Sequence, residues 1–248
     1  MHFNTDTIWI LFIVFFSTLV RSTFGFGNAL VAMPLLVVIV GLKTATPLVA
    51  MVACTIAITI LLRNWRHVQI VSAWRLILST IVGIPLGLLF LKEMYEEWLK
   101  LILGIVIIGF SAYYFIKPQI WKLKDDKSAY LFGFIAGVIG GAYNTNGPLI
   151  VIYGSLRRWA PLTFRATLQG YFLPTSLLIL LGHGTAGLWT RSVLQYFFLS
   201  LPVVFLSIWL GGRLHHSIPE GKFDRYVHAL LILIGMFLLI QTLSNHVP

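Results

Sequence analysis

The chain has 248 residues, of which 58% are hydrophobic and 10% charged, and its mean hydropathy is +0.89. So little polar surface cannot coat a water-soluble globule, which excludes soluble enzymes and cytosolic binding modules and leaves an all-helical integral membrane protein whose partner is the lipid bilayer. The formal net charge of +10 is carried in short connections between apolar segments. It never forms a tail or a helix stripe, so it speaks for membrane topology and against nucleic acid.

Ten apolar segments are legible in chain order, at about 8–20, 29–40, 47–62, 74–91 and 98–116, then 130–139, 148–156, 166–181, 193–210 and 226–243. No basic residue precedes the first and no small-residue cleavage pattern follows it, so a cleaved signal peptide is not expected. Five segments fall in each half, giving one membrane domain made of a first repeat (1–117), a linker (118–128) and a second repeat (129–248). Segments one, two, six and seven are short: the 12 residues of 29–40 make about 18 Å of helix against about 30 Å of hydrocarbon. They are expected to pair as re-entrant hairpins of half-helices, with loops shielded at mid-membrane by the longer spans.

Connections after odd-numbered segments hold Arg21; Arg63, Arg66 and Arg75; Lys117, Lys122, Lys124 and Lys127; Arg157, Arg158 and Arg165; and Arg213, Lys222 and Arg225. These are 14 of the 18 basic residues, and only Lys43, Lys92, Lys100 and Arg191 follow even-numbered segments. The positive-inside rule then places both termini outside and the linker in the cytoplasm. Because five is odd, the second half enters the membrane from the opposite side, which is the condition for inverted-topology repeats.

Two polar motifs, Phe24-Gly25-Phe26-Gly27-Asn28 and Tyr143-Asn144-Thr145-Asn146-Gly147-Pro148, break apolar stretches about 119 residues apart. That is the pattern of a carrier with one ion or substrate site between two repeats. Gly25 and Gly27 permit a left-handed backbone and close approach of a ligand, and Asn28 is expected to cap a half-helix starting at Ala29. In the second motif Pro148 suits the first helical position, with Gly147 or Asn146 as its cap. Two helix starts facing one another present free amide hydrogens and partial positive charge, which makes an anion site, and Asn144 and Asn146 add donors without negative charge.

Arg21, four positions before Gly25, is a cation that such a hairpin holds within the membrane. All eight carboxylates, Asp6, Glu93, Glu96, Glu97, Asp125, Asp126, Glu220 and Asp224, fall in termini or connections, so an anionic substrate is its expected counter-charge. Arg165 and Gln169, one turn apart, are expected to extend the lining toward the second loop. Loop structure alone for the asparagines, and a snorkelling topology marker for Arg21, are the competing readings. His67 and His183 read as helix-flanking interfacial residues, and the eight tryptophans as an aromatic belt around segment ends. The single cysteine, Cys54, admits neither an intrachain disulfide nor a thiolate cluster, and no metal or cofactor is expected.

At these motifs the chain resembles the sulfite exporter TauE/SafE family of membrane permeases. The resemblance rests on Gly25-Phe26-Gly27-Asn28-Ala29-Leu30 with Pro34, on Gly140-Gly141 leading to Asn146-Gly147-Pro148-Leu149, and on Gly83-Ile84-Pro85-Leu86-Gly87 with its counterpart Leu210-Gly211-Gly212-Arg213. The chain departs from the family's commoner pattern at Asn28, Asn144 and Asn146, where glycine is more usual. The resemblance implies a permease of a bacterial inner membrane for a small sulfur-containing or organic anion such as sulfite, thiosulfate or a sulfonate, with export as the expected direction and both termini then periplasmic. With no carboxylate inside a span to carry a proton or sodium, the membrane potential is the expected driving force. An intramembrane hydrolase lacks its His-Glu-x-x-His, paired aspartates or Gly-x-Ser-x-Gly here. A membrane assembly factor or partner subunit without transport of its own is the alternative that the residues leave open.

Overall fold

Apolar runs that cannot reach water satisfy their backbone hydrogen bonds internally, and helices do this within one segment. The computed structural model describes residues 5–64, 70–116, 123, 125–157, 159 and 161–214, with the helical positions Ala229, Ile232, Leu233, Gly235, Met236, Leu239 and Ile240 beyond them. Among the described residues the helices are α1 (Thr5–Phe24), α2 (Asn28–Val40), α3 (Leu42–Asn64), α4 (Ile70–Glu93), α5 (Glu96–Ile116), α6 (Ser128–Tyr143), α7 (Gly147–Leu156), α8 (Pro161–Thr185) and α9 (Arg191–Leu214). Among the described residues, four stretches are long and apolar enough to cross a membrane: Thr5–Thr23, Leu42–Leu62, Trp74–Glu93 and Arg191–Leu214.

The first of these corrects the expectation that segment one is a half-helix. α1 has 20 residues, about 30 Å of helix, and runs on through Arg21, Ser22 and Thr23. It continues because the polar side chains there bond back to the helix itself: Ser22 Oγ donates to the Thr18 carbonyl and Thr23 Oγ1 to that of Leu19, both at 2.8 Å. α2, α6 and α7, with 13, 16 and 10 residues, remain short. Segment three also starts earlier than its apolar run. Gly41 alone separates α2 from α3, with its N–H on the Val37 carbonyl and its own carbonyl accepting from Ala45, so Pro47 lies inside α3.

The closest helix contact is between α4 and α6, and small residues make it possible. A Cβ on Gly83 would lie 2.3 Å from the Phe134 carbonyl oxygen, one on Gly137 2.3 Å from that of Thr80, and one on Gly141 2.4 Å from that of Ile84. Glycine every fourth residue lets the two backbones touch, which is how helices associate where water supplies no hydrophobic drive. The partners advance together along both helices, so α4 and α6 run parallel. α1 and α9 meet in a related way, with Gly211 against Ser22 and Leu19. α8 packs on α3 and α4, and α9 also packs on α3.

Residues at three helix ends gather on one face with the linker. Asp126, just before α6, pairs with Arg75 in the second turn of α4 at 3.1 Å and with Arg157, the residue after α7. Leu123 N–H bonds the Leu156 carbonyl at 3.1 Å, and Arg157 Nη1 bonds the Leu123 carbonyl at 3.1 Å. α6 therefore leaves the linker face and α7 returns to it, so this pair folds as a hairpin. Trp9, Trp74, Trp98, Trp189 and Trp209 are exposed near helix ends, which fits the expected aromatic belt.

Candidate functional site

The loop after α1 is bent by two left-handed glycines, Gly25 (φ 85°) and Gly27 (φ 102°). Gly25 N–H closes α1 on the Arg21 carbonyl at 2.7 Å, and the Gly27 carbonyl accepts the first α2 bond from Val31 at 3.1 Å. Gly27 is thus the N-cap and Asn28 the first helical residue, which corrects the assignment of Asn28 as cap: its side chain makes no capping bond. Side chains rarely adopt φ near 102°, so this cap conformation belongs to glycine.

The loop after α6 uses the same backbone device. Asn144 is left-handed (φ 55°) and its N–H closes α6 on the Gly140 carbonyl at 2.7 Å. Two more of the last carbonyls of α6 are satisfied: Gly141 by His183 Nε2 at 3.2 Å, and Tyr143 by Thr145 Oγ1 at 2.9 Å. α7 opens at Gly147, so Asn146 takes the cap place and Pro148 the second helical position, one later than expected. His183 is fully buried against α6, which corrects its reading as an interfacial residue; His67 lies outside the described residues.

Both loops border one small cavity lined by Arg21, Phe26, Gly27, Asn28, Asn144, Thr145, Asn146, Gly147 and Phe172 among others. The cavity is small, with room for a small polar group. The first turns of α2 and α7 border it together, so their free amide hydrogens and partial positive charges converge there. Arg21 is 5% exposed, and its Nε and Nη2 are sealed from solvent without a hydrogen-bond partner among the described residues. Those two nitrogens share one edge of the guanidinium, the edge that donates two parallel bonds to an oxyanion. The cation stacks instead over Phe172, 4.9 Å from the ring centroid, a contact worth about 2 kcal/mol when desolvated.

One stripe of α8 reaches both loops. Gln169 Nε2 donates to the Gly25 carbonyl at 3.0 Å, Phe172 lies under Arg21, and Thr175 Oγ1 accepts from Asn146 Nδ2 at 3.3 Å. Gln169 therefore serves the first loop, where the second was expected. Arg165 lies on the same helix, and its side chain is outside the described residues. Behind this stripe Thr80 Oγ1 gives its one proton to the Gly133 carbonyl at 2.8 Å, so the Tyr171 hydroxyl donates to Thr80 at 2.9 Å and ties α8 to the α4–α6 contact. Phe26, Phe172 and Thr175 were missed in the sequence. Phe172 and Thr175 do follow Gln169 at spacings of three, a periodicity that was available.

The cavity is thus basic, amide-rich and bordered by two broken helices, and the described residues around it hold no carboxylate. The family model for sulfite exporter TauE/SafE matches residues 10–238. The chain belongs to this family. It is a multi-pass membrane transporter of the TauE/SafE type. It is also similar to the probable inner membrane transporter protein TsaS of Comamonas testosteroni, at 22% identity over 178 residues, covering 71% of this chain and 74% of that protein. No solved structure matches it.

Proposed function

We propose that this TauE/SafE transporter moves a small sulfur-containing or organic anion, such as sulfite, thiosulfate or a sulfonate, through the cavity between the two loops. The observation that carries the reading is Arg21: a buried guanidinium with an unpartnered bidentate edge, beside two helix starts, is a charge that an anion completes. The site we assign comprises Arg21, Gly25, Gly27, Asn28, Asn144, Asn146 and Gly147, with Gln169 positioning the first loop and Arg165 nearby on α8.

We read the framework as two inverted repeats, 1–117 and 129–248, joined in the cytoplasm. Exchanging α1–α4 for α6–α9 maps the observed contacts onto one another: α1–α9 becomes α6–α4, α3–α9 becomes α8–α4, α1–α2 becomes α6–α7, α2–α3 becomes α7–α8, and α3–α8 maps onto itself. The loop bonds agree, since Gly25 to Arg21 and Asn144 to Gly140 are offset by the same 119 positions. Arg75, Arg157 and the linker share a face, as the charge bias requires. Both termini are then periplasmic in a bacterial inner membrane.

Among the described residues the carboxylates of the spans, Asp6 and Glu93, stand at span ends and none lies in a span interior, so the anion moves down its electrochemical gradient, and a potential of 100 mV, negative inside, favours its export by about 2.3 kcal/mol per charge. Proteoliposomes loaded with thiosulfate or sulfite test this, with the potential set by potassium and valinomycin. Efflux is expected to follow the potential; efflux that ignores it and follows a proton or sodium gradient refutes the uncoupled mechanism.

A further inference from the structure

We infer that the anion bound in this cavity also carries a hydrogen-bond donor, an O–H or N–H on the same small molecule as its charged head. This deepens, and rests on, the reading of the cavity as the anion site. The residue that points to it is Asn28. Its side chain is 2% exposed and lines the cavity, and both ends of its amide, Nδ2 and Oδ1, are sealed from solvent without a partner among the described residues. Whichever way the amide is turned, one end donates and the other accepts. A fully deprotonated oxyanion offers acceptors only. It satisfies Asn28 Nδ2 and the Arg21 edge, and it leaves the Asn28 oxygen buried with no donor, a penalty that buried polar groups rarely bear.

Gln169 repeats the imbalance at the first loop. Its Nε2 is spent on the Gly25 carbonyl, while its Oε1 is sealed and unpartnered. Asn146 is different, because its Nδ2 already donates to Thr175. The unmet needs that line the cavity are therefore mixed, donors on Arg21 and Asn28 and an acceptor on Asn28. A ligand with an anionic head and a neighbouring O–H or N–H meets both. The chemical class is a small hydroxylated, protonated or amino-bearing oxyanion, in preference to a bare one of equal charge.

Isosteric pairs isolate the donor: 2-hydroxyethanesulfonate against propane-1-sulfonate, and hydroxyacetate against propanoate. Each pair has the same head, charge and size and differs by O–H in place of CH3. Titration calorimetry on the full-length protein in detergent is expected to show the hydroxylated member binding about tenfold more tightly, the worth of one buried hydrogen bond. Asn28→Leu is expected to weaken both members through the lost Nδ2 bond and the hydroxylated member further, reducing that ratio to within about twofold. Equal affinity within each pair for the parent protein overturns the inference and leaves the anion site standing, and this comparison needs no variant to fold. Saturable binding of sulfite or thiosulfate but of none of the four overturns the inference alone, and saturable binding of none of the six overturns the site reading with it.

Discussion

Replacing Arg21 by methionine separates a transport residue from a structural one by the sign of two effects. In the unliganded protein the guanidinium is buried with Nε and Nη2 unpartnered, a state that disfavours folding by several kcal/mol per ion before compensation. The stacking on Phe172 at 4.9 Å returns about 2 kcal/mol of this. Methionine has similar length and no charge, so Arg21→Met is expected to leave thermal stability unchanged or to raise it. Anion binding moves the other way. Two charge-assisted bonds are worth about 1.5–3 kcal/mol each, and a unit charge pair at 4 Å with an effective dielectric of 20 gives about 4 kcal/mol. Affinity for thiosulfate or sulfite is therefore expected to fall by roughly a thousandfold. Arg21→Lys keeps the charge without the planar fork and is expected to lose about tenfold. The assay is a melting curve of each purified variant with and without anion, since a ligand bound by the native state alone raises apparent stability. A variant that melts well below the parent while keeping its anion response would refute the reasoning, because that is how a partnered structural arginine behaves.

Asn146→Asp adds a negative charge to the cavity at nearly constant volume and is expected to weaken anion binding by at least about tenfold, read by the same melting curves. Gly137→Ala places a Cβ 2.3 Å from the Thr80 carbonyl oxygen and is expected to destabilise the protein by about 1–3 kcal/mol; Gly109→Ala, with nothing within 4 Å, is the control that should melt like the parent. Reporter fusions at Pro248 and within the linker are expected to report a periplasmic C-terminus and a cytoplasmic linker. A cytoplasmic C-terminus would overturn the inverted repeat with it.

The membrane class, the helix sequence and both loops could be read from hydropathy and glycine spacing, because those signals act within a single segment. Where helices begin and end was less legible. Arg21-Ser22-Thr23 reads as a polar break, yet Ser22 and Thr23 spend their hydroxyls on their own helix and α1 keeps its full length. Asn28 reads as a cap, but the left-handed Gly27 before it takes that place. Sequence spacing put Gln169 and Arg165 on one face of α8; which loop that face meets depends on how α8 crosses α3 and α4, which is a tertiary fact. His183 reads as interfacial by its place at the edge of a segment, and burial against the Gly141 carbonyl is decided across 42 residues of chain.

The two loops close the preceding helix in the same way, with left-handed Gly25 and Asn144, and then differ, since Gly27 is left-handed and Asn146 is not. The bonds from Gly25 to Arg21 and from Asn144 to Gly140 occupy equivalent places at an offset of 119, so the residue corresponding to the buried arginine is Gly140. A Cβ there would lie 3.0 Å from the Asn146 side chain, so a second arginine in that place could not coexist with Asn146 as it stands. The second loop contributes amides and a helix start, and the first contributes the cation. If the proposed repeat holds, each half can move against the other around the site between them, and one cation against several neutral donors limits how much negative charge that site can hold. On the proposed reading, substitutions at Asn28, Asn144 or Asn146 that leave Arg21 in place are expected to change which anion binds without changing the fold.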